Sequence, residues 1–260
     1  MIPNDLKGKK MAEIRQMIDK LDPAEWEPWI GLLEADGRKG VANLGLALDK
    51  RKARLERDTA QIREKKRIEE EYRKKGFALI AGMDEVGRGP LAGPVVCAAV
   101  ILPEDSAILH VDDSKKLSAA RREELAPKIK EEALAWAIGI REPAVIDRIN
   151  ILEATKEAMA EAVGKLTPPP DLLLIDAVDI PSAVPVASII HGDALCYSIA
   201  AASIVAKVHR DHLMMEYHQK YPQYGFDHNM GYGTAQHLAA LRQFGPTPIH
   251  RKTFIQGILG

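Results

Sequence analysis

Short apolar runs alternate with longer helical patterns over residues 71–260, and together they predict an α/β fold. Apolar runs bounded by turn residues predict buried strands at 78–83, 95–102, 133–142, 171–176 and 185–190. Apolar residues at every third or fourth position predict helices at 146–163, 193–217 and 235–244. The first three strands are expected to be antiparallel, and the helix before the fourth favours parallel pairing there. We therefore expect a mixed sheet flanked by helices.

Helical spacing also dominates the first 70 residues, but without strand patterns. One group of apolar positions predicts a first helix, and a second group follows Asp22-Pro23, a pair typical of a helix start. The two groups are Met11, Ile14, Met17, Ile18 and Leu21, and Trp26, Trp29, Ile30 and Leu33. We expect residues 1–70 to form a helical extension that binds substrate or docks a partner. Residues 71–260 are expected to form the main domain, with a small helical lobe from about residue 220.

The segment from Lys50 to Lys75 is a charged helical stretch with few apolar positions. It holds 12 Lys and Arg and 6 Asp and Glu, a local net charge of +6 (12 − 6). Such a helix is often solvated and stabilised by its own ion pairs. It is equally typical of an arm that lies along phosphates. The pattern alone leaves both interpretations open.

Composition narrows the class of protein. Hydrophobic residues make up 46% of the 260 positions, charged residues make up 28%, and the net charge is −1. Any affinity for nucleic acid must then come from local clusters of Lys and Arg. The two cysteines, Cys97 and Cys196, are far apart in apolar surroundings, as expected of buried thiols in a reducing compartment. Without a signal sequence or a membrane-spanning apolar stretch, the chain is expected to be a cytoplasmic monomer.

Adjacent carboxylates stand at the end of the first predicted strand. Asp84 and Glu85 follow an apolar run and precede Gly87-Arg88-Gly89. Because neighbouring strand residues point to opposite faces, the two acids can share one site only if the strand ends or bends there. The glycines could supply that bend. A charged hairpin turn without chemistry is the simpler alternative.

Two more carboxylates are candidates for the same edge of the sheet. Asp176 ends an apolar strand, and ligands of open α/β sheets bind at the carboxyl ends of strands. Asp193 precedes a predicted long helix, where it could equally be an N-cap. Clustered acids repel one another unless cations lie between them, and oxygen ligands favour Mg²⁺ or Mn²⁺. Zinc fits less well, and an acid/base pair of the glycosidase type suits the surrounding basic residues poorly.

Several segments resemble one known family. Residues 83–95, MDEVGRGPLAGPV, resemble the signature of ribonuclease HII, the type-two ribonuclease H. Residues 112–118, 193–211 and 221–254 resemble other parts of the same family, so the likeness covers about 75–255. The chain departs from the family at Asn229-Met230, where members often carry a His-Lys pair. The resemblance implies a ribonuclease H-like mixed sheet with an N-terminal helical extension and a C-terminal helical lobe.

The resemblance also implies an activity. The family hydrolyses the phosphodiester 5′ of ribonucleotides in RNA/DNA hybrids and of single ribonucleotides within duplex DNA, leaving 3′-hydroxyl and 5′-phosphate ends. Ribonucleotides would thereby be removed from DNA, with two Mg²⁺ or Mn²⁺ ions per site. The implied catalytic and metal-binding residues are Asp84, Glu85, Asp176 and Asp193. The implied substrate-binding residues are Gly87, Arg88, Gly89, Lys115, Ser203, Lys207, Arg210 and Tyr232.

Other functions stay open at this point. A protein on the same scaffold could bind hybrids without cutting them, although all four carboxylates are present. A junction resolvase would use similar metal chemistry and ignore ribonucleotides. Ribonuclease HIII, a sister type, ranks second because a different residue is expected where Arg88 stands.

Overall fold

The computed structural model describes residues 6–176 and 180–259. The chain forms two compact units, Met1–Gln61 and Ile62–Gly260, called here the N-terminal and C-terminal units. The boundary lies nine residues before the predicted one at residue 70, inside the charged helical segment. None of the described helices is long and apolar enough to cross a membrane.

The N-terminal unit is helical, as its apolar spacing predicts. It contains α1 (Met11–Ile18), a short 3-10 turn (Pro23–Glu25), α2 (Trp26–Glu34) and the first part of α3 (Lys39–Lys74). The apolar positions of α1 and α2 pack into one core, which includes Ile14, Trp29 and Leu33. Burial of this shared apolar stripe stabilises helices that would be too short to persist alone.

A five-stranded mixed sheet organises the C-terminal unit. Its strands lie in the order β3-β2-β1-β4-β5, and β1 is central. β1–β2 and β2–β3 pair antiparallel, and β1–β4 and β4–β5 pair parallel. This is the predicted mixed arrangement. The strands are β1 (Ile80–Val86), β2 (Val95–Ile101), β3 (Ala135–Arg141), β4 (Leu172–Asp176) and β5 (Val186–Ile189).

Helices cover both faces of the sheet. One face packs mainly against the long helix α8, and the other packs against α6. Apolar residues fill β1, β2 and β4 because these strands are covered on both sides. The helices are α4 (Ala119–Glu132), α5 (Pro143–Ile149), α6 (Ile151–Gly164), α7 (Gly192–Leu195), α8 (Tyr197–Lys220), α9 (Phe226–Asn229), α10 (Ala235–Phe244) and α11 (Lys252–Leu259).

Two single predicted helices are in fact pairs. The prediction of one helix at 146–163 is wrong, because Asn150 adopts a left-handed φ of 71° and separates α5 from α6. The Asn150 side chain then accepts hydrogen bonds from the amides of Leu152 and Glu153, so it caps α6. Leu152, in the first turn of α6, is 42% exposed. A short polar side chain that tolerates left-handed backbone was the signal for this break.

The helix predicted at 193–217 is also broken. Cys196 is extended, with φ −121° and ψ 130°, so α7 ends at Leu195 and α8 begins at Tyr197. Asp193 therefore lies within α7, where His191 occupies the N-cap position, and the N-cap interpretation of Asp193 is wrong. The break gives the residues before and after Cys196 independent orientations.

A helical lobe follows α8, as predicted. α9, α10 and α11 pack around a separate apolar cluster that includes Tyr224, Phe226 and Leu241. The rings of Tyr224 and Phe226 stack at a centroid distance of 5.5 Å.

Candidate active site

Asp84 and Glu85 project from opposite faces of one continuous strand. β1 runs on to Val86, and Glu85 pairs with Cys97 of β2, so the predicted end or bend at these acids is wrong. By alternation, Asp84 faces α8 and Glu85 faces the side covered by α6. Both acids are near the C-terminal end of β1, so they share an edge of the sheet and not a face.

The other two predicted acids reach the same edge. Met83 pairs with Ile175 in parallel register, so Asp84 and Asp176 follow side by side on neighbouring strands. Asp176 accepts a hydrogen bond of 3.0 Å from the amide of Gly192, which ties β4 to the start of α7. Asp193, in that helix, is buried and close enough to Asp84 to repel it.

The electrostatics of the central acids are unfavourable in the protein alone. Burial, and then repulsion by Glu85, raises the pKa of Asp84 well above its usual value, and Asp193 adds to the rise. Burial is also the main cause of the raised pKa of Glu85, with Asp176 contributing and Arg88 opposing. Among the described residues, Glu85 Oε2 is buried without a hydrogen-bond partner. This edge of the sheet is therefore short of positive charge.

Two cationic side chains partly supply that charge. Arg88 Nη1 lies 3.3 Å from Glu85 Oε1, and Lys115 Nζ lies 2.9 Å from Asp193 Oδ2. The hydrogen bond to Asp193 raises the pKa of Lys115. In residues 6–176 and 180–259, no three Asp, Glu, His or Cys side chains already form a metal-ligand set. Ligation by these acids would require their side chains to turn toward a common point.

The Gly-Arg-Gly loop and Tyr232 lie together beside the acids. Gly87 has a left-handed φ of 91°, and a Cβ there would come 2.2 Å from Arg210 Nε, so only glycine fits. Gly89 is not left-handed; a Cβ there would lie 3.7 Å from the ring of Tyr232. Tyr232 is 47% exposed. Arg88 and Gly89 are exposed as well, whereas Gly87 is buried. The predicted recognition residues thus lie together, and all except Gly87 are accessible.

Arg210 serves a different role from the predicted phosphate contact. It is fully buried, and its guanidinium donates to the carbonyls of Pro94, Ala92 and Met230 at 2.9–3.1 Å. Burial lowers its pKa to about 10. With its donors turned to backbone oxygens inside the protein, Arg210 supports the loop and offers no surface to a phosphate.

Arg251 is a site residue that the sequence interpretation missed. It is fully buried and donates to the carbonyls of Gly87, Arg88 and Gly93. Burial, and then the neighbouring charge of Arg210, lowers its pKa to about 9. A planar guanidinium with five donors can satisfy several carbonyls of one tight loop at once. The signal available in sequence was an arginine within the family-like tail, without an indication of its burial.

Ser203 and Lys207 lie on the same helix with unequal access. Ser203 is buried; its hydroxyl donates to that of Ser114 at 2.7 Å, and its proximity to Asp84 opposes the rise in the pKa of that acid. Lys207 Nζ lies 2.6 Å from Asp211 and is partly exposed. Ser203 thus lies beside an acid inside the protein, whereas Lys207 could still reach a phosphate.

Asn229 and Met230, which stand where family members often carry a His-Lys pair, have a structural function in this chain. Asn229 donates to the carbonyl of Tyr224 and accepts from the amide of Gly231, at 2.7 and 2.8 Å. The carbonyl of Met230 accepts a hydrogen bond from Arg210. These residues order the turn that presents Tyr232.

A pair of buried histidines also stabilises the turn that carries Tyr232. His237 Nε2 and His250 Nε2 lie 2.9 Å apart, and His237 Nδ1 lies 2.9 Å from the Tyr232 carbonyl. His250 Nδ1 accepts from the amide of Thr247. Because a carbonyl only accepts and an amide only donates, His237 carries its proton on Nδ1 and His250 carries its proton on Nε2.

Known proteins are similar in sequence to this chain along most of its length. The family profile described as Ribonuclease HII matches residues 81–257, and that described as Ribonuclease HII N-terminal domain matches residues 10–73. The Ribonuclease HII of Lactobacillus delbrueckii subsp. bulgaricus is 51% identical over 247 residues, which are 94% of each chain. That of Bacillus cytotoxicus is 49% identical over 244 residues, again 94% of each chain.

The fold agrees with this family. The crystal structure of the ribonuclease H2 from Pyrococcus horikoshii OT3 matches with a TM-score of 0.60 at 28% identity, over 69% of this chain and 96% of that one. The predicted ribonuclease H-like mixed sheet is thereby confirmed, and the chain is a nuclease of the ribonuclease H type. By sequence and by fold, the chain belongs to the ribonuclease HII family.

Proposed function

We propose that this nuclease cuts the phosphodiester 5′ of a ribonucleotide, in RNA/DNA hybrids and at single ribonucleotides within duplex DNA. The products carry 3′-hydroxyl and 5′-phosphate ends, and the cut starts the removal of ribonucleotides from DNA. The observation that carries the proposal is the adjacency of a buried carboxylate edge and an exposed tyrosine over a glycine loop. The carboxylate edge suits hydrolysis of a phosphodiester, and the tyrosine over the glycine loop suits recognition of the sugar.

Recognition of the ribonucleotide is assigned to the Gly87-Arg88-Gly89 loop and Tyr232. The 2′-hydroxyl is the group that distinguishes RNA from DNA at one position. Backbone groups beside glycines can approach a sugar closely, and an exposed aromatic ring can stack on a sugar or base. Lys115 and Lys207 are proposed to contact the flanking phosphates, since both ammonium groups are at least partly exposed.

The carboxylate edge fits divalent cations. Buried acids with raised pKa values, and the unpartnered Glu85 Oε2, are groups that Mg²⁺ or Mn²⁺ would stabilise. We propose two ions, held by Asp84, Glu85, Asp176 and Asp193. Such ions, when bound, activate a water and stabilise the leaving oxygen of a phosphodiester. Within the chain, the Gly192 amide orients Asp176, and Ser203 lies beside Asp84.

The test uses a DNA duplex with one ribonucleotide, an all-DNA duplex, and Mg²⁺ or Mn²⁺ with an EDTA control. The proposal expects metal-dependent cleavage on the 5′ side of the ribonucleotide and none of the all-DNA duplex. Asp84→Asn should abolish cleavage and retain duplex binding. Asp105→Asn, which changes an exposed acid of the same unit, serves as the matched control.

Other outcomes would redirect the assignment. Cleavage of long hybrids alone would exclude recognition of single ribonucleotides and favour behaviour of the ribonuclease HIII type. Cleavage of branched DNA without ribonucleotides would favour a resolvase. Cleavage by Asp84→Asn at the rate of the control would contradict the assignment of the metal ligands.

A further inference from the structure

The C-terminal part of α3, residues 62–74, contacts the segment that carries Asp193. Lys65 Nζ donates to the carbonyl of Ala194 at 2.5 Å and to Asp112 Oδ1 at 2.7 Å. Ala194 directly follows Asp193 in α7. One lysine of the charged helix thus fixes the backbone next to a proposed metal ligand.

Glu69, one turn further along α3, fixes the other side of the break at Cys196. It is only 3% exposed, and its Oε1 accepts from the amide of Ser198 at 2.7 Å. The thiol of Cys196 donates to the same oxygen at 3.4 Å. Cys196, the N-cap of α8, provides no side-chain cap of its own. Glu69 therefore caps α8 from a distant part of the chain, and its negative charge suits the helix N-terminus.

The two contacts belong to one face of α3. Lys65 and Glu69 are four residues apart, so they lie above one another on the helix. Apolar residues of the same face of α3 pack into the apolar clusters between the sheet and α8. They include Ile62, Ile68 and Tyr72. Residues 63, 64, 67, 70 and 71 are exposed. The buried face is directed at the junction of α7 and α8, and the charged face points to solvent.

We propose that residues 62–74 position Asp193 through Lys65 and Glu69, a role that rests on the proposed metal-binding function of Asp193. The residues from 194 to 198 are held at both ends by α3. The extended Cys196 leaves the link between α7 and α8 without continuous helical hydrogen bonds, so outside contacts must fix it. Lys65 and Glu69 supply those contacts.

The interpretation of this segment as a phosphate-binding arm accounts poorly for these residues. The Lys65 ammonium is mostly buried, between a carboxylate and a carbonyl, and is not free to contact DNA. A buried carboxylate such as Glu69 would repel phosphates. Exposed cations such as Arg63 and Lys74 remain available for that role, so the two roles belong to different faces of the helix.

The experiment compares Glu69→Ala and Lys65→Met with Glu70→Ala and Lys74→Met, which change exposed residues of the same helix. Mn²⁺ binding is measured by calorimetric titration of each protein without nucleic acid. kcat, KM and duplex affinity follow on the single-ribonucleotide substrate. Loss of an outer support of a metal ligand should weaken Mn²⁺ binding about 10-fold or more and lower kcat, with KM and duplex affinity unchanged. Glu69→Gln should restore most of the binding, because its amide oxygen can still accept from Ser198.

Each alternative gives a different result. Weaker duplex binding with normal Mn²⁺ affinity would overturn the proposal in favour of a phosphate-binding arm. A lower melting temperature with normal Mn²⁺ affinity and kcat below that temperature would reduce Lys65 and Glu69 to a structural role. If Glu69→Ala does not fold, Lys65→Met decides the question by the same titration. If the wild type ignores ribonucleotides but the Mn²⁺ effect persists, only the proposed substrate fails.

Discussion

Gly82 of β1 lies directly against Ser198 of α8. A Cβ on Gly82 would come 2.1 Å from the Ser198 carbonyl carbon and 2.4 Å from the Ile199 amide nitrogen, distances that real Cβ atoms do not reach. Gly82 precedes Asp84 by two residues in β1, so the first turn of α8 packs against the strand next to this acid. This close approach brings the helix and the central strand together beside the strand end that carries Asp84 and Glu85.

Gly82→Ala should therefore force α8 away from the sheet. We expect a loss of about 1–3 kcal/mol in the free energy of unfolding, the usual cost of overpacking a core. Urea denaturation measures the loss, with Gly164→Ala as the control, because a Cβ there meets nothing within 4 Å. Equal stability of the two variants would contradict so close an approach.

Asp84→Asn should stabilise the metal-free protein while it abolishes cleavage. The folded pKa of Asp84 is raised, so its ionisation costs stability as the pH rises from the unfolded pKa, about 3.9, through the folded one. The gain in melting temperature over the wild type should be absent near pH 3 and should grow toward neutral pH. Thermal scans in EDTA test this, and Mg²⁺ should then raise the melting temperature of the wild type more than that of the variant. A variant less stable than the wild type at neutral pH would contradict a raised pKa of Asp84, whether caused by burial or by the neighbouring acids.

Arg251→Lys should disorder the Gly-Arg-Gly loop. A single ammonium cannot satisfy the carbonyls of Gly87, Arg88 and Gly93 together, and a buried group left without a partner costs about 1–3 kcal/mol. We expect lower stability and a lower kcat/KM on the single-ribonucleotide duplex. Arg242→Lys, at an exposed position, is the control. Unchanged kcat/KM in Arg251→Lys would separate the loop from recognition.

The pair of His237 and His250 should make stability depend on pH. Burial, and then the neighbouring His237, lowers the pKa of His250 to about 4, and burial also lowers the pKa of His237. The folded protein takes up protons on these two rings only at lower pH than the unfolded chain, whose histidines bind protons below about pH 6.5. The stability they contribute is present above pH 6.5 and should be lost as the pH falls toward 4. The free energy of unfolding, measured with urea at several pH values in this range, should depend less steeply on pH for His250→Gln than for the wild type.

The matched variant for that measurement is His228→Gln, which changes an exposed ring. Its free energy of unfolding should depend on pH as that of the wild type does. If His250→Gln also kept the full pH dependence of the wild type, another group would have to titrate in that range.

Local patterns predicted the strands and the chemical character of the edge. All five strands begin and end within three residues of the predicted apolar runs. β1, β2 and β4 follow the runs because burial on both faces demands continuous apolar residues. The antiparallel and parallel pairings also follow from the order of strands and helices. The breaks at Asn150 and Cys196 did not follow, because periodicity averages over a whole helix and misses a single residue with different backbone angles.

The residue types at the carboxylate edge are set by the sequence, and so is the family signature around them. The partner of each charge depends on packing between distant parts of the chain. Arg210 and Lys207 are three residues apart on one helix, yet one is buried under a loop and the other reaches solvent. In the sequence Glu69 is one charge of a helical segment, and only the fold brings the first turn of α8 onto its carboxylate. Sequence alone determined what chemistry this protein carries, and tertiary structure decided which charges support the site, because burial and hydrogen-bond partners arise from contacts that no local pattern records.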